Sequence, residues 1–307
     1  MTAIVTGEQV TKDWGKTRAL TDATFEIGDG ITGLLGANGA GKTTLLGLIL
    51  GMHRPDGGRI SVLGHDPWDL GPKVRARIGY APEHEALPPD VTAHDLVRHL
   101  AEIHGLPSRE ATTRASDALY EVGLGEERFR AVGTMSTGQR QRVKLAQAVA
   151  HDPDLVLLDE PTNGLDPMQR EQMLELIRTV SHRLGHNIVL SSHLLDEVDR
   201  VSDAVVILDA GRVVTSGRLA DLRQTGAEEL VVELDGDPTS AQQLVDALQA
   251  RQLLSTGTPG RVVVPLEDVV VYDVVRDVLA DLGLPIRRLQ RRTASLEELY
   301  LAGGETT

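Results

Sequence analysis

Residues 36–44 read GANGAGKTT, which fits the pattern GxxxxGK(S/T), and no other stretch constrains the fold as tightly. The motif needs a strand before it and a helix after it. Both are predicted here: ITGLLG (31–36) is a short apolar run of strand type, and KTTLLGLILG opens with helical spacing. Glycines at 36, 39 and 41 permit backbone angles that turn consecutive N–H groups inward as an anion nest. The helix N-terminus adds partial positive charge at the same place. A Gly-rich turn with a chance lysine is the plain alternative, and the strand–loop–helix context argues against it. The loop is therefore expected to hold a nucleoside triphosphate through Gly36, Asn38, Gly39, Ala40, Gly41, Lys42, Thr43 and Thr44. Lys42 reaches the β- and γ-phosphates, and the Thr43 hydroxyl is placed for Mg²⁺.

DLVLLDE (154–160) supplies the second half of such a site. An apolar run without alternation suits a central parallel strand covered on both faces. Asp159, at its C-terminal end, can hold the Mg²⁺ shell, and the adjacent Glu160 can orient or deprotonate a water for in-line attack on the γ-phosphate. A paired acid at a strand end is otherwise surface chemistry, but here Pro161 closes a wholly apolar strand.

The rest of the chain repeats the rhythm. NIVLSSH (187–193) and AVVILD (204–209) read as further buried strands, with a helix from Met168 to Leu184 before them. The pattern predicts an α/β fold with a parallel sheet. From Val91 to Val149 it is almost wholly helical, so a helical lobe is expected over about 84–150. A chain of 307 residues exceeds what one core usually organises, so a second, smaller domain is expected. The polar stretch DLRQTGAEE (221–229) is the linker candidate, dividing 1–225 from 226–307. Beyond it, ELVVEL, PTSAQQLVDALQA, RVVVPL, EDVVVYDVVRDVLADLG and PIRRLQ read as strand, helix, strand, helix, strand, a small α+β domain.

Composition removes several classes. No cysteine is present, which excludes disulfides, cysteine-held metals and thiol catalysis. The formal charge of −14 argues against bulk binding of nucleic acid, which wants a basic face. No stretch approaches the roughly 18 to 20 apolar residues of a membrane-spanning helix. The N-terminus lacks the features of a secretion signal, and together these favour the cytoplasm. His182 and His186 are spaced like a metal pair but have no third ligand nearby in sequence, so a solvated helix end is expected. His94, His99 and His104 drift around a helix and are given no site.

MSTGQRQRVKLAQAVA (135–150), followed by HDPDLVLLDEPTNGLDP, resembles the signature helix and aspartate strand of ATP-binding cassette (ABC) ATPases. Met135 and Thr137 depart from the family's LSGGQ, while Ser136, Gly138 and Gln139 match it. The resemblance covers roughly residues 3 to 220. It implies a cassette with a parallel-sheet core, an antiparallel β subdomain and a helical lobe. It also implies a head-to-tail homodimer, in which Ser136, Gly138 and Gln139 of one subunit close on ATP held by the other. Trp14 stands where the family keeps an aromatic ring that stacks on adenine, Asp166 looks like the loop aspartate that couples subunits, and His193 like the switch histidine that supports Glu160. Glu83 occupies the position of a glutamine that contacts Mg²⁺ and the attacking water, so its role is expected to persist with altered weight.

The wording IGYAPE, STGQRQRVKLAQA and DEPTNGLDP, with an end segment SLEELYL, resembles cassettes of multidrug- or antibiotic-type exporters. The resemblance thus implies an ATPase that drives a separate integral-membrane permease, docked near HEALPPDVTAHDLV and held at the inner face of the cell membrane. Non-transport cassettes are the alternative. Translation types resemble two cassettes joined by a basic linker, and repair types carry long coiled coils; neither is present, and a phosphate-loop kinase lacks the signature helix.

Overall fold

A computed structural model describes residues 3–84, 87–225, 229–235, 239–266 and 270–292, leaving aside the side chains of 224, 225 and 292. The chain divides into two compact units, with the boundary at Leu219/Ala220. That lies a few residues before the expected linker, of which Asp221–Thr225 is helical and 226–228 fall outside the described residues.

The first unit opens with β1 (Val5–Trp14), β2 (Thr17–Ile27) and β3 (Ile31–Leu35), then α1 (Lys42–Ile49), β4 (Gly57–Val62), α2 (Gly71–Arg75) and β5 (Ile78–Ala81). The helical lobe follows as α3 (Ala93–Ile103), α4 (Ser108–Glu121) and α5 (Thr137–Val149). Between α4 and α5 lie only two short 3₁₀ turns, so the lobe is less helical than its sequence reads. Then come β6 (Leu155–Asp159), α6 (Pro167–Leu184), β7 (Asn187–Ser192), α7 (Leu195–Val201), β8 (Ala204–Asp209) and β9 (Arg212–Arg218), and α8 (Leu219–Thr225) runs across the boundary into the second unit.

Two sheets enclose α1. The larger has the order β5-β6-β7-β3-β8-β9, parallel except for β9 at its edge; the smaller is antiparallel, β2-β1-β4. Successive side chains of β6 point to opposite faces. Leu155 and Leu157 pack with Leu45, Leu46, Leu48 and Ile49 of α1 and with Val5, Leu20 and Phe25 of the smaller sheet. Val156 and Leu158 pack on the other face, with Ala146 of α5 and Ile177 of α6. Both faces of β6 are therefore covered, which is why its sequence does not alternate. Removing one of these fully buried leucines, as in Leu157→Ala, costs about 2–5 kcal/mol.

Strand order brings the functional loops together. β7 lies between β6 and β3, all parallel, so the segments after Leu35, Asp159 and Ser192 leave the same sheet edge side by side. This carboxyl end is where α/β sheets bind ligands.

The second unit contains β10 (Glu229–Leu234), α9 (Thr239–Ala250), β11 (Thr256–Thr258), β12 (Arg261–Pro265), α10 (Val270–Leu282) and β13 (Ile286–Arg292). Its antiparallel sheet, β11-β12-β10-β13, buries Leu230, Val232 and Val262 against Leu244, Val275 and Leu279 of the two helices. β11 escapes the sequence reading because TGT is short and exposed, with no apolar period. SLEELYL lies outside the described residues.

Candidate functional site

Gly41 caps α1 in a left-handed conformation, φ 108°, and the first turn carries neither a side-chain cap nor an acid. The amides there are left for an external anion. A β-carbon at Gly41 would lie 2.6 Å from the Ala19 carbonyl. Gly36 is required for a different reason from the one its sequence suggests. Its backbone angle is unexceptional, but a β-carbon would sit 2.5 Å from the Leu208 carbonyl, so space rather than angle demands glycine. The loop, together with Thr17 and Arg18, Glu83, Asp159 and Glu160, lines a cleft of about 440 Å³.

Lys42 is buried at the centre of this cleft. Its Nζ donates to the Gly36 carbonyl at 2.7 Å and lies 3.3 Å from Glu160 Oε1. Glu160 Oε2 is 2.8 Å from His193 Nδ1, so the expected partner of Glu160 is in contact with it. Glu160 also holds a positive φ of 47°, a conformation that costs a non-glycine residue about 1–3 kcal/mol and that gathers at functional sites. The main chain leaving β6 is bent so that the acid faces the phosphate loop.

Asp159 lies one residue earlier, its Oδ2 3.3 Å from the Thr43 hydroxyl that donates to it. Burial pushes its carboxyl above the usual carboxylate range, and the nearby charges of Glu83 and Glu160 push it further. Hydrogen bonds from Ser191 and Thr43 oppose this. The Thr43 hydroxyl and the Asp159 carboxylate, with the charges of Glu83 and Glu160 acting on Asp159, make a place that gains from a divalent cation. Among the described residues no group of His, Asp or Glu forms a protein-only metal cage. Mg²⁺ does not need one, since it takes one or two carboxylates and completes its shell with phosphate and water oxygens. Thr43 and Asp159 are oxygen donors that fit it.

Ser191, which the sequence reading passed over, organises both acids. Its hydroxyl donates to Asp159 Oδ1 at 2.5 Å and accepts the Glu160 amide at 2.9 Å. It faces Asp159 across the β6–β7 ladder, a pairing that only strand order reveals. Asn163 and Lys144 were also missed. Asn163 Nδ2 donates to Glu83 Oε1 at 2.7 Å, and Lys144 Nζ donates to the Pro82 and Glu83 carbonyls at 3.0 and 2.8 Å.

The remaining expected residues fall elsewhere. Ser136 caps α5 in a reciprocal box: its hydroxyl accepts the Gln139 amide, and Gln139 Oε1 accepts the Ser136 amide. Ser136, Gly138 and Gln139 line a different cleft, with Gln169 and Arg142, which shares no residue with the phosphate cleft. Asp166 has a local task as well, capping α6 through the Gln169 amide at 2.9 Å with Pro167 behind it. Trp14 is half exposed at the end of β1. Its indole donates to Thr44 at 3.3 Å, its ring meets His53 edge-on, and the ring lies outside the lining of the phosphate cleft.

One histidine expectation is corrected. α6 ends at Leu184, so His186 is not on the helix with His182, nor is it solvated. It is buried, with Nδ1 3.0 Å from the Pro153 carbonyl, because β7 starts directly behind it.

The sequence and the fold both have relatives among known proteins. Residues 20–163 match the family described as ABC transporter. The daunorubicin resistance ATP-binding protein DrrA3 of Streptomyces coeruleorubidus is 32% identical over 97% of this chain and 94% of its own length. The methionine import ATP-binding protein MetN of Caulobacter vibrioides is 36% identical over 78% of this chain and 75% of its own. Among solved structures, a dimeric post-hydrolysis ATP-binding cassette bound to ADP and Pi superposes with a TM-score of 0.62. It is 25% identical, over 70% of this chain and 98% of that one.

Proposed function

The chain belongs to the ABC transporter family as an ATP-binding subunit with ATPase activity, and from that premise we propose that it energises a membrane permease for export by closing as a head-to-tail homodimer on two ATP molecules. The observation that carries the hydrolytic reading is the chain of contacts Lys42–Glu160–His193 beside the Thr43–Asp159 pair. Glu160 is the group that orients the attacking water and accepts its proton. His193 holds the acid in place, and Lys42 with the loop amides takes up the charge that develops on the transferred phosphate. Lys42 now serves Glu160 and the Gly36 carbonyl, so it exchanges these partners when a triphosphate arrives. Thr43, Asp159 and Glu83 are the residues that would hold Mg²⁺, whose contribution when bound is to neutralise the β- and γ-oxygens.

Dimerisation is supported by the separation of the two clefts. The phosphate cleft is one-sided, and the Ser136 helix start, another anion-attracting end, faces a different cleft of the same unit. A second copy would bring the two together, with Asp166 near the seam and Trp14 flanking the adenine. A permease is invoked because the chain belongs to the ABC transporter family; among the described residues, no helix is long and apolar enough to cross a membrane. The chain would then lie on the inner face of the membrane through that partner. The segment from His84 to Val97 is the proposed docking surface, although residues 85–86 fall outside the described ones.

Export is favoured over import by what the relatives are named for: a daunorubicin resistance protein and a Nod factor export protein match 97% and 98% of this chain. Co-expression tests the reading: tagged chain should sediment with membranes only beside its permease and should lower the cell's content of a transported drug. Membrane binding without a permease, or a raised drug content, would contradict it.

A further inference from the structure

Lys144 is buried, with 7% of its surface exposed, on the third turn of α5. A buried ammonium is costly unless hydrogen bonds replace its water. Here it donates to two consecutive main-chain carbonyls, Pro82 and Glu83, in the loop that follows β5. Both bonds are charge-assisted, the stronger kind. Less than one turn earlier on the same helix, Gln141 Nε2 donates to the Asn163 carbonyl at 3.3 Å. Asn163 in turn gives its side-chain amide to the Glu83 carboxylate at 2.7 Å. The main chain and the carboxylate of Glu83 are thus both referred to α5, one through Lys144 and one through Gln141 and Asn163. Lys144 also lines, with Asp159 and Pro161, the small space behind the acids.

We propose that Lys144 is a positioning residue for Glu83, fixing this carboxylate at the phosphate cleft by tying its loop to the helix that begins at Ser136. The inference rests on the reading of the cleft as the ATPase site. It adds that the start and the middle of α5 have linked tasks: the start presents Ser136 to the interface, and the buried middle sets the reach of Glu83. A shift of α5 on dimer closure carries Glu83 with it. Asn163 supports the same carboxylate from the loop that leads to Asp166.

The test is a set of substitutions in the full chain, read by steady-state ATP turnover and by calorimetric ATP binding with and without Mg²⁺. Lys144→Met keeps the apolar stem and removes the ammonium. It should lower kcat about tenfold, the scale seen when an outer partner of a site residue is lost. ATP affinity without Mg²⁺ should be kept, and the gain that Mg²⁺ brings to affinity should shrink. Lys144→Arg should recover part of the rate. In a Glu83→Ala background the Lys144→Met loss should vanish, since the two act through one group. If Lys144→Met does not fold, Asn163→Ala, at an exposed position, carries the same comparison. Additive losses, a change in KM alone or a normal kcat would overturn the inference. An inactive wild type, or a Glu83→Ala chain identical to wild type, would instead overturn the reading of the site on which it rests.

Discussion

Lys42 and Glu160 neutralise one another in the buried floor of the phosphate cleft, Nζ to Oε1 3.3 Å, with 7% and 6% of their side chains exposed. Either charge alone would be expensive there. Taking one partner from a buried pair typically costs about 3–5 kcal/mol, because the other is left uncompensated. Lys42→Met should therefore lower the unfolding free energy of the nucleotide-free protein by roughly 3 kcal/mol, the low end of that range because His193 still faces Glu160. Adding Glu160→Gln should restore part of it. Urea unfolding of the two single variants and the double one checks this; strictly additive losses would refute the pairing.

Ser191 links both acids, so its removal should be felt in turnover. Ser191→Ala strips a hydrogen bond that favours the ionised form of Asp159, whose carboxyl burial already pushes upward. We expect kcat to fall by about 10- to 100-fold, as for other outer partners of metal-binding groups. The Mg²⁺ concentration for half-maximal rate should rise. Titrating Mg²⁺ in the ATPase assay separates this from a loss of stability, which would leave the Mg²⁺ midpoint in place.

Ser136 has two separable tasks. As the cap of α5 its loss should cost about 1 kcal/mol of stability in the isolated chain, measurable by thermal unfolding. As the residue offered across the proposed interface, its loss should also weaken ATP-dependent dimerisation, which equilibrium sedimentation reads. Ser136→Asn, which can still cap, should keep the first and lose the second.

Acid stability has a specific source. The His151 imidazole is buried against His104, rings stacked at 3.7 Å, and burial lowers its pKa from 6.5 to about 4. In the unfolded chain it protonates near 6.5, so between pH 6.5 and 4 the unfolded state binds the extra proton. The stability it contributes is complete above pH 6.5 and is lost as pH falls through that window, by about 3 kcal/mol at most. His151→Gln should flatten this part of the stability–pH curve, as measured by denaturant midpoints from pH 7 to 4. An unchanged slope would contradict the assignment.

What the sequence discloses here depends on whether the signal is local. The phosphate loop, β6 and the Asp159–Glu160 pair are legible because each is carried by contiguous residues: a glycine pattern, an apolar run, two acids at a strand end. His193 is legible only through resemblance. Ser191, Asn163 and Lys144 are not, since each acts on a residue far along the chain and carries no local mark. Ser191 is ordinary until β7 is placed beside β6. Lys144 looks like one more polar residue on a mixed helix until its turn proves to face the β5 loop. His186 departs from its expected place for the same reason: its four-residue spacing from His182 runs past the helix end, where the chain turns into β7. The exposed β11 hairpin partner left no pattern to find.

The central claim is that Glu160 activates water for ATP held between two copies of this chain. Glu160→Gln keeps the size of the side chain and removes its charge, and with it the tie that occupies Lys42. Sedimentation of this variant with ATP and Mg²⁺, alongside its turnover rate, tests the claim most directly. The account predicts a stable dimer retaining two ATP per pair, with turnover reduced by at least about a hundredfold, the scale of losing a general base. A variant that turns over ATP at the wild-type rate, or that binds ATP and remains a monomer, would contradict it.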